Sequence, residues 1–163
     1  DHTFWTRGKV QMKNYFAPSG TVSFGTELSA YLSTRKLLPT YDQSIVAAQP
    51  FNPTPSSYNS FNSRMRANSY VTAGVVPVCK LNDNLQLRGT FHCFMPLQAI
   101  KMNPNGTPYY GNWFADPAFF GEISAVYDFR FAKLSLYGNY TESSSRNWNA
   151  GVSFGLFFLA PTF

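Results

Sequence analysis

The sequence predicts an all-β fold: an antiparallel transmembrane β-barrel, of which this chain supplies about seven C-terminal strands. Three observations carry the expectation: two-residue alternation, a composition rich in aromatics yet poor in charge, and connections that alternate short and long. The alternation is sharpest in residues 147–163, NWNAGVSFGLFFLAPTF, where Trp148, Ala150, Val152, Phe154, Leu156 and Phe158 fall on every second position. Asn149, Gly151, Ser153 and Gly155 interleave with them. A period of two marks a strand whose two faces meet different surroundings. Large apolar side chains on one face and small or polar ones on the other suit a wall between lipid and a polar lumen.

Composition agrees. Aromatic residues make up 18% of the 163 residues and charged residues only 13%, yet mean hydropathy is slightly negative at -0.21. Alternating apolar and polar positions cancel in such an average. No apolar run reaches the roughly 18 residues that a transmembrane helix needs. The formal charge of +5 is spread over single Lys and Arg residues, without the clustered cations and stacking aromatics of a nucleic-acid interface, so no nucleic-acid partner is expected. Cys79 and Cys93 fall on neighbouring strands at opposite ends, too far apart to bridge, and are expected to be free thiols. A start at Asp1-His2-Thr3, without an initiator Met, reads as a processed product or a piece of a longer chain.

The elements follow in order. A first strand, about 3–15, turns through Ala17-Pro18-Ser19-Gly20 into a second, 21–34. A long loop, 35–65, leads to a third strand, 66–79, the least regular because Tyr70 and Val76 blur its alternation. Leu81-Asn82-Asp83-Asn84 turns into a fourth strand, 85–94. A second long loop, 95–118, contains Asn103-Pro104-Asn105-Gly106. The fifth strand, 119–129, turns near Arg130 into the sixth, 132–141, and a Ser-rich loop at 142–146 precedes the last. Short turns at one end and long loops at the other match the periplasmic and external ends of bacterial barrels. Seven strands are one short of the smallest closed barrel, and an open edge is not viable in lipid. The remaining strands are therefore expected from upstream sequence or another chain, which makes this the C-terminal part of a larger protein.

Apolarity assigns the faces. The lipid-facing set is Val22, Phe24, Leu28, Leu87, Phe91, Ile123, Leu134, Leu136, Trp148, Val152, Phe154, Leu156 and Phe158. The lumen-facing set is Arg7, Lys9, Lys13, Glu27, Arg88, His92, Glu122, Asp128 and Lys133, joined by Gln11, Gln86 and Asn139. Aromatics near strand ends read as two girdles: Phe4, Trp5, Tyr140 and Trp148 at the outer rim, Tyr127, Phe129 and Phe158 at the inner one.

Gly151-Val-Ser153-Phe-Gly155 matches the serine-hydrolase pattern. That chemistry needs a sharp strand-to-helix turn, whereas this match sits inside an alternating strand. The two glycines are read instead as relieving crowding on the lumen side. No phosphate-binding loop, metal-ligand spacing or carboxylate pair appears, so no catalytic residue, metal or cofactor is assigned. Asn149, Gly151, Phe154 and Leu156, with the terminal Phe163, resemble the signal that barrel-assembly machinery reads on a final strand.

Two further stretches carry a family resemblance. One is Arg66-Ala-Asn-Ser-Tyr-Val-Thr-Ala-Gly-Val-Val-Pro-Val-Cys-Lys-Leu-Asn-Asp83. The other comprises Gly111-Asn-Trp-Phe114, Phe120-Gly-Glu-Ile-Ser124, Leu136-Tyr-Gly-Asn-Tyr140 and Arg146-Asn-Trp-Asn149. Together they resemble the C-terminal barrel of patatin-like phospholipases from Bacteroidota, a surface-antigen domain of the BamA-type superfamily. The resemblance covers about residues 60–163 and, more loosely, the first 60. It implies a 16-stranded barrel in the bacterial cell outer membrane, preceded by a periplasmic linker and a patatin lipase domain whose Ser–Asp dyad is not in this chain. Implied partners are outer-membrane lipid, the barrel-assembly machinery during biogenesis, the upstream strands, and a second copy in a homodimer. BamA-type barrels carry an Arg-Gly-aromatic tripeptide in a long external loop that maps to 35–65; none occurs here, which argues against a protein-insertion role. The expected function is to anchor or export a patatin-like lipase. A porin or TonB-dependent transporter barrel, or a BamA-type assembly or translocation barrel, is the alternative, and a soluble lipid-binding barrel is a third.

Overall fold

In a computed structural model the chain is described at residues 4–18, 20–59, 61–129, 131–142 and 147–156. Fourteen elements follow one another. Strands β1 (Arg7–Phe16) and β2 (Val22–Ser33) precede helix α1 (Tyr41–Ala47), the short β3 (Gln49–Pro50), two 3₁₀ turns at Pro55–Asn59 and Ser63–Met65, and β4 (Arg66–Ala67). Then come β5 (Tyr70–Lys80), β6 (Leu85–Pro96), β7 (Gln98–Met102), β8 (Pro108–Trp113), β9 (Ala118–Asp128), β10 (Ala132–Thr141) and β11 (Trp148–Leu156).

Seven strands form one antiparallel sheet in the order β1-β2-β5-β6-β9-β10-β11. Every main strand pairs with its nearest main-strand neighbour in sequence, so tight turns and long connections alternate between the two ends. Asn82 builds one turn by accepting backbone N–H bonds from Asn84 and Leu85 at 2.9 and 2.8 Å, an Asx arrangement that replaces ladder partners at the strand ends.

The two long connections are not structureless. Within 35–65, Thr40 caps α1 by accepting the Gln43 N–H at 3.4 Å, and two arginines satisfy the other end. Arg66 donates to the carbonyls of Ile45 and Val46, and Arg35 to that of Ala47, each at 2.9 Å. A helix this short leaves most of its end carbonyls without partners, and cations there also suit its dipole. Residues 98–113 form the β7–β8 hairpin, turned by Gly106 at φ 80°. The two excursions share a small core in which Ile45 and Ala48 meet Ile100. The third strand accordingly begins at Tyr70 rather than 66, because 66–67 pair with 49–50.

Register explains the irregular third strand. Tyr70 and Val76 lie on the opposite face from Val71, Ala73 and Val75, and both are 2% exposed. Tyr70 belongs to a buried aromatic cluster on the polar face, where it meets Phe94, Phe120, Tyr31 and Met65. On the same face an aromatic ring three times overlies a directly paired glycine: Tyr15 over Gly25, His92 over Gly74 and Tyr137 over Gly151. The ring covers backbone that the missing side chain would leave bare. Gly155, by contrast, has open space around its Cα, so crowding explains Gly151 only. Cys79 and Cys93 are free thiols.

A methyl group added at Gly74 would meet His92 Nδ1 at 2.1 Å. Gly74→Ala is expected to lower stability by about 1–3 kcal/mol through overpacking. The Gly74→Ala/His92→Ala double variant should cost less than the sum of the single variants, read from urea unfolding midpoints of the intact protein.

Candidate functional site

The register divides the seven strands into two chemically distinct faces. Arg7, Lys9, Lys13, Glu27, Lys80, Arg88, His92, Glu122, Asp128 and Lys133 are all the charged residues and histidines of the sheet, and all share one face. The other face carries Val22, Phe24, Leu28, Leu87, Phe91, Ile123, Leu134, Leu136, Trp148, Val152, Phe154 and Leu156. Its large side chains are bare: Ile123 is 62% exposed, Val152 65% and Phe154 60%. Leu134 is half-buried between Tyr127 and Phe154. Phe158 and Phe163 lie outside the described residues.

Charges on the polar face are partnered according to their burial. Glu27 is buried and accepts from Lys13 Nζ at 2.9 Å and from the Tyr15 hydroxyl at 3.5 Å. His92 Nε2 stands 3.9 Å from Glu27, with the Phe51 ring edge-on at 5.4 Å. Neither ring nitrogen of His92 has a hydrogen-bond partner among the described residues. Glu122, also buried, accepts from Thr54 Oγ1 at 2.9 Å and from the Ser56 hydroxyl, to which Asn139 donates at 3.1 Å. A carboxylate taken from water needs such donors, since an unpaired buried charge costs several kcal/mol. Lys133 pairs with Asp128 at 3.1 Å in a more exposed setting. Arg88 is exposed. Arg7 shares the Trp5 ring with Arg35, at 5.6 and 5.3 Å, so Trp5 is held by cations.

The segment around 51–57 therefore lies across the polar face. Phe51 packs on Tyr70 and Phe94, and Thr54 and Ser56 reach β9 and β10. Beside it opens a cavity of about 650 Å³, bounded by Pro53, Gln86, Arg88, Ser135 and Tyr137. Farther along, Asn62 donates to the Glu142 carbonyl at 3.1 Å and Arg64 pairs with the Glu142 carboxylate at 2.7 Å. Phe51, Thr54 and Ser56 escape a reading of the sequence because nothing local to Pro53-Thr54-Pro55-Ser56 announces that a loop folds back over a sheet. The signal available was the pair of buried carboxylates, which required donors from somewhere.

Ser153 sits in the middle of β11 opposite Ser135, so Gly-x-Ser-x-Gly is ordinary strand here. Of the assembly-signal residues, Asn149 and Gly151 lie on the polar face opposite Asn139 and Tyr137, while Phe154 and Leu156 lie on the apolar one. Among the described residues no group of three or more His, Cys, Asp or Glu could hold a metal ion, and no helix is long and apolar enough to cross a membrane. The chain is a small all-β sheet domain, and nothing in the described residues suggests a catalytic domain. No family, no curated protein and no solved structure matches it.

Glu122→Ala removes the acceptor that holds Thr54 and Ser56. Hydrogen bonds to a charged group are worth about 1.5–3 kcal/mol, so amide hydrogen exchange should quicken across 51–57 while the β7–β8 hairpin keeps its protection.

Proposed function

We propose that this chain is part of the wall of a bacterial outer-membrane β-barrel, completed by further strands beyond β1 and β11. The observation that carries the reading is the complete segregation of charge: one face holds every charged side chain of the sheet, and the opposite face is apolar and bare. In water such a surface would be an aggregation hazard far larger than ordinary exposed patches. Against hydrocarbon it is the required surface. The dimensions support this. Val22 to Leu32 spans about 33 Å at about 3.3 Å per residue, which at a tilt of about 40° covers the roughly 25 Å apolar band of such barrels.

Aromatic pairs stand at both ends of the band. Phe16–Phe24 and Tyr127–Phe129 sit at the turn end, with ring centroids 5.3 and 4.7 Å apart, and Tyr140–Trp148 at the loop end, at 5.1 Å. Such rings favour the headgroup level. Among the described residues no strand pairs with the outer edges of β1 and β11, which favours a larger closed barrel over a soluble one, since lipid tolerates no open edge.

The segment folded onto the polar face narrows the lumen beside it, which favours an anchoring or exporting barrel over a wide porin. On the resemblance drawn from the sequence, we propose a patatin-like lipase as the cargo it holds at the outer membrane. The residues preceding Asp1 test that part: a Gly-x-Ser-x-Gly followed by Asp-Gly supports it, and their absence removes it.

Leu136 and Ser135 are neighbours on opposite faces. Leu136 is 53% exposed, so Leu136→Arg should shift stability by no more than about 0.5 kcal/mol if that face meets water. Facing the bilayer interior it should cost about 2–4 kcal/mol. Unfolding of the intact protein in phospholipid vesicles is expected to show the larger loss for Leu136→Arg and little for Ser135→Arg; equal, small effects overturn the membrane reading.

A further inference from the structure

The cavity of about 650 Å³ beside the returning segment has the size of a small-molecule site, roughly 300–1,000 Å³. Two neighbouring rows of the polar face line it. Gln86, Val126, Ser135 and Ser153 pair in turn across β6, β9, β10 and β11. Arg88, Ser124 and Tyr137 do the same two residues nearer the loop end. That second row ends on Gly151, and the hydroxyl end of Tyr137 reaches across the space its missing side chain leaves. From the returning segment, Thr54 and Ser56 spend their hydroxyls on Glu122, so what they leave to the cavity is the rings of Pro53 and Pro55.

Unspent donors distinguish this place. Among the described residues, the Arg88 guanidinium, the Gln86 amide and the hydroxyls of Ser135, Ser153 and Tyr137 have no hydrogen-bond or ion-pair partner. The neighbouring acids are already answered: Glu122 by Thr54 and Ser56, Asp128 by Lys133 at 3.1 Å. Lys80, opposite Gln86 on β5, adds a second cation whose side chain has no partner among the described residues. The uncompensated charge is therefore positive and lies on β5 and β6, while the free hydroxyls lie on β10 and β11. A guanidinium presents a planar fork that matches two oxygens of a carboxylate or phosphate. Hydroxyls both donate and accept, which suits the hydroxyl rim of a sugar ring, and proline rings suit its C–H faces.

We infer that this cavity binds a small anionic saccharide, its carboxylate or phosphate on Arg88 and its hydroxyls toward Ser135, Ser153 and Tyr137. A neutral sugar leaves the Arg88 fork unmatched, and a bare inorganic anion leaves the hydroxyl side empty. The inference rests on the polar face alone and holds whatever meets the opposite one. Arg88 is exposed, so water and salt screen its attraction and the affinity is expected to fall with ionic strength.

The test is isothermal titration calorimetry on the intact protein in detergent micelles, with glucuronate, glucose-6-phosphate, glucose and inorganic phosphate as separate probes. At least one of the two acidic sugars should bind about tenfold more tightly than glucose and inorganic phosphate, the factor that a hydrogen bond to a charged group supplies. Which of the two does so names the anion. Arg88→Gln should abolish the preference over glucose, and Arg88→Lys, which keeps the charge without the fork, should restore part of it. Ser135→Leu, which fills the floor, should weaken the acidic sugars as well. Lys9→Gln removes the same charge from the same face outside the cavity and should change nothing. Absence of binding by every probe at millimolar concentration overturns the site. Equal affinity for glucose and the acidic sugars overturns the role of Arg88, and inorganic phosphate binding as tightly as they do overturns the saccharide. Equal losses in Lys9→Gln and Arg88→Gln reduce the effect to general attraction by a basic face and overturn the cavity as its seat.

Discussion

One constraint governs this molecule: the antiparallel register must keep every charged side chain on the same side through seven strands. Side chains alternate with a period of two, so a slip of a single residue between any two strands would invert one strand relative to its neighbour. It would place Glu27 or Arg88 among leucines and phenylalanines. The pairs Lys13–Glu27 and Gly74–His92 hold the register in β1, β2, β5 and β6; Glu122–Asn139 and Tyr137–Gly151 hold it in β9, β10 and β11. The glycines contribute because each lets an aromatic ring lie flat across its strand, a fit that one shifted register would lose.

The polar face is not bare. Aromatic rings from the strands and from Phe51 fill its loop half, and buried carboxylates punctuate it. Burial obliges those carboxylates to find donors, and the donors at Glu122 come from a segment far away in sequence. The excursion 35–65 thereby carries its own small helix and core at the loop end and also covers part of the polar face.

The two faces also ask different things of packing. On the polar face specificity comes from paired charges and rings. On the apolar face few side chains touch anything beyond their own strand neighbours, and relief is set only by residue size. Small residues at Ala73 and Cys93 leave a depression, whereas at Gly121 the ring of the paired Phe91 lies over the strand.

The strands and their faces were legible in the sequence because alternation is a local property: a residue and its second neighbour share a face whatever the rest does. Residues 132–141 form β10 as read, and Lys9, Arg88 and Lys133 share one face of the sheet. Tyr70 and Val76 misled because their face carries an aromatic cluster assembled from four strands and a loop, which no single strand displays. Helix α1 was announced only by Thr40-Tyr-Asp-Gln43, a short capping pattern too weak without its tertiary supports Arg35 and Arg66. The return of 51–57 over the sheet and the donors at Glu122 were decided only in three dimensions. Each depends on residues brought together from distant strands, and sequence periodicity carries no record of which distant groups will meet.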